Sequence, residues 1–203
     1  MKTVFVNPQR CIGCRQCEFA CAVEHSRSKD PYLAIFESPV PKPRIHVESG
    51  PWMGSSFPNR CHHCDPAPCQ QVCPTAAIGR NDEFGVVLVD IDKCIACAMC
   101  AMVCPFAAIT FHVQAEAAAP RVVSTKCDGC FDRIRRDEEP ACVEVCKVDA
   151  LVYGELNDLL REERIQKAVL AIDATTGVAP TEPDMLAGWR AWGKEVAHVA
   201  GGV

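Results

Sequence analysis

At 203 residues the chain is long enough for one compact domain or two small ones. Its formal net charge of −5 makes nucleic acid an unfit partner. No run of about 18 apolar residues is present to cross a membrane. Residues 1–10 show no apolar signal core, twin arginine or cleavage site, so the expected location is the cytoplasm, unless a partner carries an export signal.

In chain order, residues 3–6 form a short β-type run that Pro8 ends before a first group of cysteines, Cys11, Cys14, Cys17 and Cys21. Their spacing, C-x2-C-x2-C-x3-C, lets three close thiolates cap three irons of one cubane while the fourth reaches a neighbouring cube. Gly13 lies between the first two. A residue without a side chain lets the backbone wrap closely and aim N–H groups at sulfur, although turn geometry alone also favours a small residue there. A polar run then leads into a proline-rich spacer. Pro39, Pro41 and Pro43 space out an extended segment, residues 44–48 alternate like an exposed strand, and residues 50–56 read as a flexible tip carrying Trp52 and Met53. Trp52 serves there either as a docking element or as an apolar lid over a cluster.

The second group, Cys61, Cys64, Cys69 and Cys73, lengthens one interval to C-x2-C-x4-C-x3-C. His62 and His63, between its first cysteines, are candidates for tuning a cluster or carrying a coupled proton, or are simple spacers. The third group, Cys94, Cys97, Cys100 and Cys104, repeats the spacing of the first. Pro74 and Pro105 follow the last cysteines of groups two and three, and the strings VCPTAAI and VCPFAAI are near copies, as a duplicated unit would leave. Each is followed by a predicted hairpin, residues 76–80 with 86–89 and residues 109–113 with 121–124.

The fourth group is Cys127, Cys130, Cys142 and Cys146, spaced C-x2-C-x11-C-x3-C, with Gly129 placed like Gly13. Its insert, residues 131–141, sets Arg133, Arg135 and Arg136 against Asp137, Glu138 and Glu139, the pattern of a solvated helix face or of a docking patch for an acidic partner. Lys147 and Ala22 stand where the other groups have proline, so their turns are predicted to differ, and the charge of Lys147 to raise a nearby potential. Residues 150–153 form a last strand. No cysteine is left over, and four groups imply four [4Fe-4S] clusters.

Disulfides fit tight C-x2-C-x2-C triplets poorly. Structural zinc is the class-distinct alternative, giving a zinc-stabilised interaction scaffold, but zinc sites are usually two separated C-x2-C pairs without a third close cysteine. Small modules bury little apolar surface, so ligation should supply their stability, and the apo chain is expected barely to fold.

Beyond residue 153 the pattern becomes helical. Asn157 or Asp158 can cap a helix to about residue 172, with Leu156, Leu159 and Leu160 on one side and Ile165, Val169 and Ile172 on the other. A Thr/Gly/Pro linker over 174–183 leads to a helix over 184–199 with Met185, Trp189, Trp192, Val196 and Val199 in one stripe, which either packs back or anchors a partner through its tryptophans.

Over residues 1–153 the four groups, two with Cys-Pro endings, resemble the four-cluster electron-transfer subunits that accompany dehydrogenases and molybdopterin reductases. The run RCIGCRQCEFACAVEHS, followed by the proline-rich spacer, is most similar to the iron-sulfur proteins associated with carbon monoxide dehydrogenase. The resemblance implies an α+β fold of two pseudo-symmetric ferredoxin-like modules, each with two [4Fe-4S] clusters and small hairpins, plus C-terminal helices outside the resemblance. Residues 1–30 and 121–155 would form an outer module, 31–60 a spacer, 61–120 an inner module and 156–203 a helical extension.

It also implies that groups exchange their fourth cysteines. Cluster A takes Cys11, Cys14, Cys17 and Cys146, and cluster B takes Cys127, Cys130, Cys142 and Cys21. Cluster C takes Cys61, Cys64, Cys69 and Cys104, and cluster D takes Cys94, Cys97, Cys100 and Cys73. No Ser/His/Asp set, nucleotide-binding glycine loop or open metal site stands out. The implied function is electron relay between a carbon monoxide dehydrogenase-type donor and a hydrogenase or other acceptor, without a substrate site. The alternative is a subunit of a molybdenum or tungsten oxidoreductase such as formate dehydrogenase or aldehyde oxidoreductase.

Overall fold

The computed structural model describes residues 2–51, 55–114 and 120–176; Trp52, Met53 and the helix expected over 184–199 lie outside them. The chain divides into two units, Met1–Leu156 and Asn157–Val203. Among the described residues of the first unit, strands pair two by two, and the pairing is what gathers the cysteine groups.

β1 (Lys2–Val6) pairs antiparallel with β8 (Leu151–Glu155), from Lys2 opposite Glu155 to Val6 opposite Leu151. The first and last strands of the cysteine region are thereby joined, and α1 (Gln16–Glu24) packs on α5 (Ala141–Glu144), so groups one and four are neighbours. Two hairpins follow groups two and three. β4 (Ile78–Asn81) pairs with β5 (Val86–Val89), and β6 (Ile109–Gln114) with β7 (Arg121–Lys126), within a residue or two of the predicted positions. α2 (Pro68–Gln71) and α3 (Met99–Met102) lie against each other beneath them.

The spacer departs from expectation. β2 (His46–Ser49) pairs with β3 (Ser56–Asn59), whose first residue, Ser56, is the last of the segment read as a flexible tip. Pro58 concealed β3, because proline lacks an N–H; in a two-stranded ribbon it sits opposite Val47 without breaking a ladder. Nor is the 44–48 segment exposed: Ile45 and Val47 keep only 1% and 4% of their surface, so the alternation marks a half-buried strand.

A turn recurs after three of the cysteine groups. Ala76, Ala107 and Asp149 all have φ near +50°, and their N–H groups donate to the carbonyls of Cys73, Cys104 and Cys146 at 3.2, 3.3 and 3.3 Å. The residues that follow, Ala77, Ala108 and Ala150, are buried, and each leads into the first residue of a strand, Ile78, Ile109 or Leu151. Lys147 therefore does not change the turn as predicted. CKVDAL is a third copy of the motif in which lysine replaces proline, while in group one Ala22 simply continues α1. The Lys147 N–H makes no backbone hydrogen bond among the described residues. Lys147→Pro should accordingly keep full metal content and gain about 0.4–1 kcal/mol by restricting the unfolded chain. A lowered denaturation midpoint would show that the three turns are not equivalent.

The insert of group four is a single helical turn, α4 (Phe131–Ile134), rather than a continuous solvated helix. Arg135 and Arg136 are exposed as expected, but Arg133 bridges Glu24 of α1 at 3.3 Å and Glu144 of α5 at 2.5 Å, tying groups one and four together. In the second unit α6 (Leu156–Thr176) begins directly after β8. Asn157 and Asp158 thus lie in its first turn instead of capping it, and it absorbs the first residues of the predicted linker. Ile165, Val169, Leu170 and Ile172 on it are more than half exposed.

Candidate metal centres

Each group has the same local construction. The third and fourth cysteines are four residues apart, and the third sits on a helix, Cys17 on α1, Cys69 on α2, Cys100 on α3 and Cys142 on α5. That spacing turns both thiols toward one face. The first two cysteines lie on a loop whose last intervening residue is left-handed in every group: Gly13, His63, Ala96 and Gly129 have φ of 69°, 50°, 55° and 73°. The conformation aims backbone donors at sulfur, as the N–H of His63 on Cys61 Sγ (3.5 Å) and of Gly129 on Cys127 Sγ (3.4 Å) show. At 129 glycine also avoids a close contact: a Cβ there would lie 2.9 Å from Val86 Cγ1, so a larger residue would displace Val86.

Packing brings cysteines of different groups together. Cys73 lines one cavity with Cys94, Cys97 and Cys100, roofed by Ile78, Phe111 and Ser124. Cys21 lies within electrostatic reach of Cys127, Cys130 and Cys142, and Cys69 within reach of Cys61 and Cys104. Cys11 and Cys146 pack on the apolar cluster built around Val4, Cys17, Ile45, Val47 and Leu151. Cys61 and Cys127 share another small cluster with Ala108, which places groups two and four side by side. Of the sixteen cysteines, Cys14 and Cys97 are the exposed ones.

Donors from outside the groups converge on the same sulfurs. Arg44 N–H lies 3.2 Å from Cys21 Sγ, Ser124 N–H 3.4 Å from Cys94 Sγ, Ala77 N–H 3.3 Å from Cys73 Sγ and Ser56 Oγ 3.1 Å from Cys11 Sγ. The Lys126 ammonium lies 3.6 Å from Cys61 Sγ. Burial pushes the Cys17 thiol up to about 11 and the Cys142 thiol to about 12, and neighbouring sulfurs add to the effect. Cys21 and Cys130 are raised for the same reasons. Such crowding opposes thiolates in the bare protein. It is the arrangement of a soft-metal site, where a bound cation releases the protons and offsets the repulsion. Sets of four sulfur donors, ringed by N–H groups, fit [4Fe-4S] clusters.

Several participants carry no sequence signature. Asp128 accepts from His25 Nε2 at 3.1 Å and Arg44 Nη1 at 2.6 Å, while His25 Nδ1 lies 2.7 Å from the Cys21 carbonyl oxygen. Burial alone would raise the Asp128 carboxyl, but His25, Arg44 and the Cys130 N–H hold it well below the usual range. His25, Asp128 and Cys130 also bring their ligand atoms within 4.8 Å of one another, with the carboxylate already engaged by Arg44. His62 stacks on Phe106 at 4.0 Å between centroids. His63 Nδ1 accepts the Val87 N–H at 2.9 Å, which leaves the proton on Nε2. Burial, then Lys126 and Arg60, push its pKa down to about 2, which disfavours the imidazolium. His63 Nε2 and Arg60 Nε are buried without a partner among the described residues.

Residues 53–156, just over half of the chain, match the family described as a 4Fe-4S dicluster domain. The chain is similar to a protein named "Iron-sulfur protein" from Rhodospirillum rubrum, 38% identical over 81% of this chain and 89% of that one. It is 33% identical to electron transport protein HydN of Escherichia coli (strain K12), over 82% of this chain and 97% of that one. YnfG of the same organism, a probable anaerobic dimethyl sulfoxide reductase subunit, is 32% identical, over 81% of this sequence and 78% of its own. Among the described residues no helix is long and apolar enough to cross a membrane.

Proposed function

Because the chain belongs to the 4Fe-4S dicluster domain family, we propose that it is a cytoplasmic electron-transfer subunit. It would relay electrons through four [4Fe-4S] clusters between a carbon monoxide dehydrogenase-type donor and a hydrogenase or other redox acceptor, with no substrate site of its own. The observation that carries the reading is the cavity in which Cys73 of group two meets Cys94, Cys97 and Cys100 of group three. An exchanged fourth ligand is the signature of paired cubanes. The neighbours of Cys21, Cys104 and Cys146 support the same exchange in the other sets, and so support two modules of two clusters each.

When bound, each cluster supplies a one-electron couple. The chain supplies the thiolates, the N–H donors around them and the exclusion of water. Groups two and four adjoin through Cys61 and Cys127, which supports a series with clusters B and C in the middle and A and D at its ends. The cysteines assigned to each end cluster include an exposed one beside exposed apolar residues, Cys14 with Ile12, and Cys97 with Ile95 and Met102. These are the faces we assign to donor and acceptor. The segment 184–199, with Trp189 and Trp192, is assigned as a partner anchor.

A second reading, a subunit of a molybdenum or tungsten oxidoreductase, is favoured by the similarity to a probable dimethyl sulfoxide reductase subunit. One experiment separates the two. Anaerobic holoprotein is mixed with carbon monoxide dehydrogenase and carbon monoxide, or with formate dehydrogenase and formate, and bleaching of the brown colour is followed. The proposal expects fast bleaching with the carbon monoxide pair; bleaching with the formate pair alone contradicts it.

A further inference from the structure

Every cysteine group is preceded by a basic residue: Arg10, Arg60, Lys93 and Lys126 stand directly before Cys11, Cys61, Cys94 and Cys127. The fold treats the four in two ways. Arg10 and Lys93 point outward, with 49% and 62% of their side chains exposed, and pair with Asp149 at 3.7 Å and Asp90 at 2.8 Å. Arg60 and Lys126 are buried, with 5% and 3% exposed, and among the described residues neither forms an ion pair with a carboxylate.

The buried two lie where groups two and four meet. The Lys126 ammonium donates to the Val87 carbonyl, to the Cys127 carbonyl at 3.0 Å and toward Cys61 Sγ at 3.6 Å, so its three protons face three acceptors across the two groups. Arg60 Nη1 donates to the Val4 carbonyl at 2.9 Å, and the groups that act on its charge are Cys127, Cys142 and Cys61. Its Nε is one of the buried donors without a partner among the described residues. A buried cation is costly unless a negative charge compensates it. Here thiolate sulfur is the negative charge within reach.

We propose that Arg60 and Lys126 are potential-setting residues for the two middle clusters, B and C, whose fixed charge stabilises the added electron at the crossing between groups four and two. The inference rests on the four-cluster reading. Reduction adds negative charge to a cluster, and a cation held close in a low-dielectric interior favours the reduced form more than the oxidised one, which raises the potential. Exposed Arg10 and Lys93 are screened by water, salt and their carboxylates, and do not have this effect.

The test is an EPR-monitored redox titration of holoprotein, with iron counted in the same samples. Lys126→Met and Arg60→Met should shift the midpoint of a middle cluster to more negative potential at unchanged iron, Lys126→Arg should restore it, and Lys93→Met should leave all midpoints in place. Where a methionine variant fails to load, Lys126→Gln, which keeps donors without charge, takes its place with the same expected shift. Unmoved midpoints in fully loaded variants, or an equal shift in Lys93→Met, overturn the proposal. An iron count short of four clusters in the unaltered protein is a different failure, and falls on the four-cluster reading.

Discussion

Cys73→Ala should remove about a quarter of the bound iron, and the cluster lost should be the one held by Cys94, Cys97 and Cys100 rather than the one held by its own group. Burial raises the Cys73 thiol, but bonds from the Thr75 hydroxyl and from the Ala77, Thr75 and Ile78 N–H groups together outweigh it and hold the pKa below the ordinary thiol value. The sulfur faces a cavity lined by three cysteines of group three. Alanine would leave that cube with three protein ligands, prone to lose iron. The EPR signal that disappears should match the one lost in Cys97→Ala. Loss of the signal that Cys64→Ala removes would place Cys73 in its own group's cluster and sink the exchanged assignment. Since cluster D lies at an end of the proposed series, electron transfer between partners should stop although three clusters persist.

Removal of iron should have a still broader effect. Each of the four apolar clusters in the first unit contains cysteines among its buried members: Cys17, Cys21 and Cys142 in one, Cys100 in the second, Cys61 and Cys127 in the third and Cys94 in the fourth. No separate core exists among the described residues to hold the strands once ligation is gone. The hairpins are two-stranded, and such ribbons are marginal alone. Treatment with a chelator and reductant is therefore expected to abolish the β signal in circular dichroism and expose the unit to protease. An apoprotein with the holoprotein's spectrum and protease resistance would show that the strands, and not the clusters, carry the fold.

Much of this architecture is legible in the sequence because the cysteines themselves are among its main packing elements. The cysteine spacing locates all four groups, and the two VCPxAAI copies locate the β4–β5 and β6–β7 hairpins. What was not legible depends on conformation or on distant contacts. The left-handed residue before each second cysteine is announced by glycine only at 13 and 129; at 63 a histidine takes the same φ, held by the Val87 N–H on its ring. The third copy of the post-cysteine turn is hidden by Lys147, and β3 by Pro58. Asp128 with His25 and Arg44, and the burial of Arg60 and Lys126, arise only when segments far apart in sequence are packed together.

Sixteen cysteines are proposed to hold four [4Fe-4S] clusters in one chain. Iron and acid-labile sulfide, measured on anaerobically purified protein, test this most directly. About sixteen of each per chain are expected, with Mössbauer parameters of cubanes throughout. About four zinc ions without sulfide, or iron and sulfide enough for only two cubanes, would contradict it.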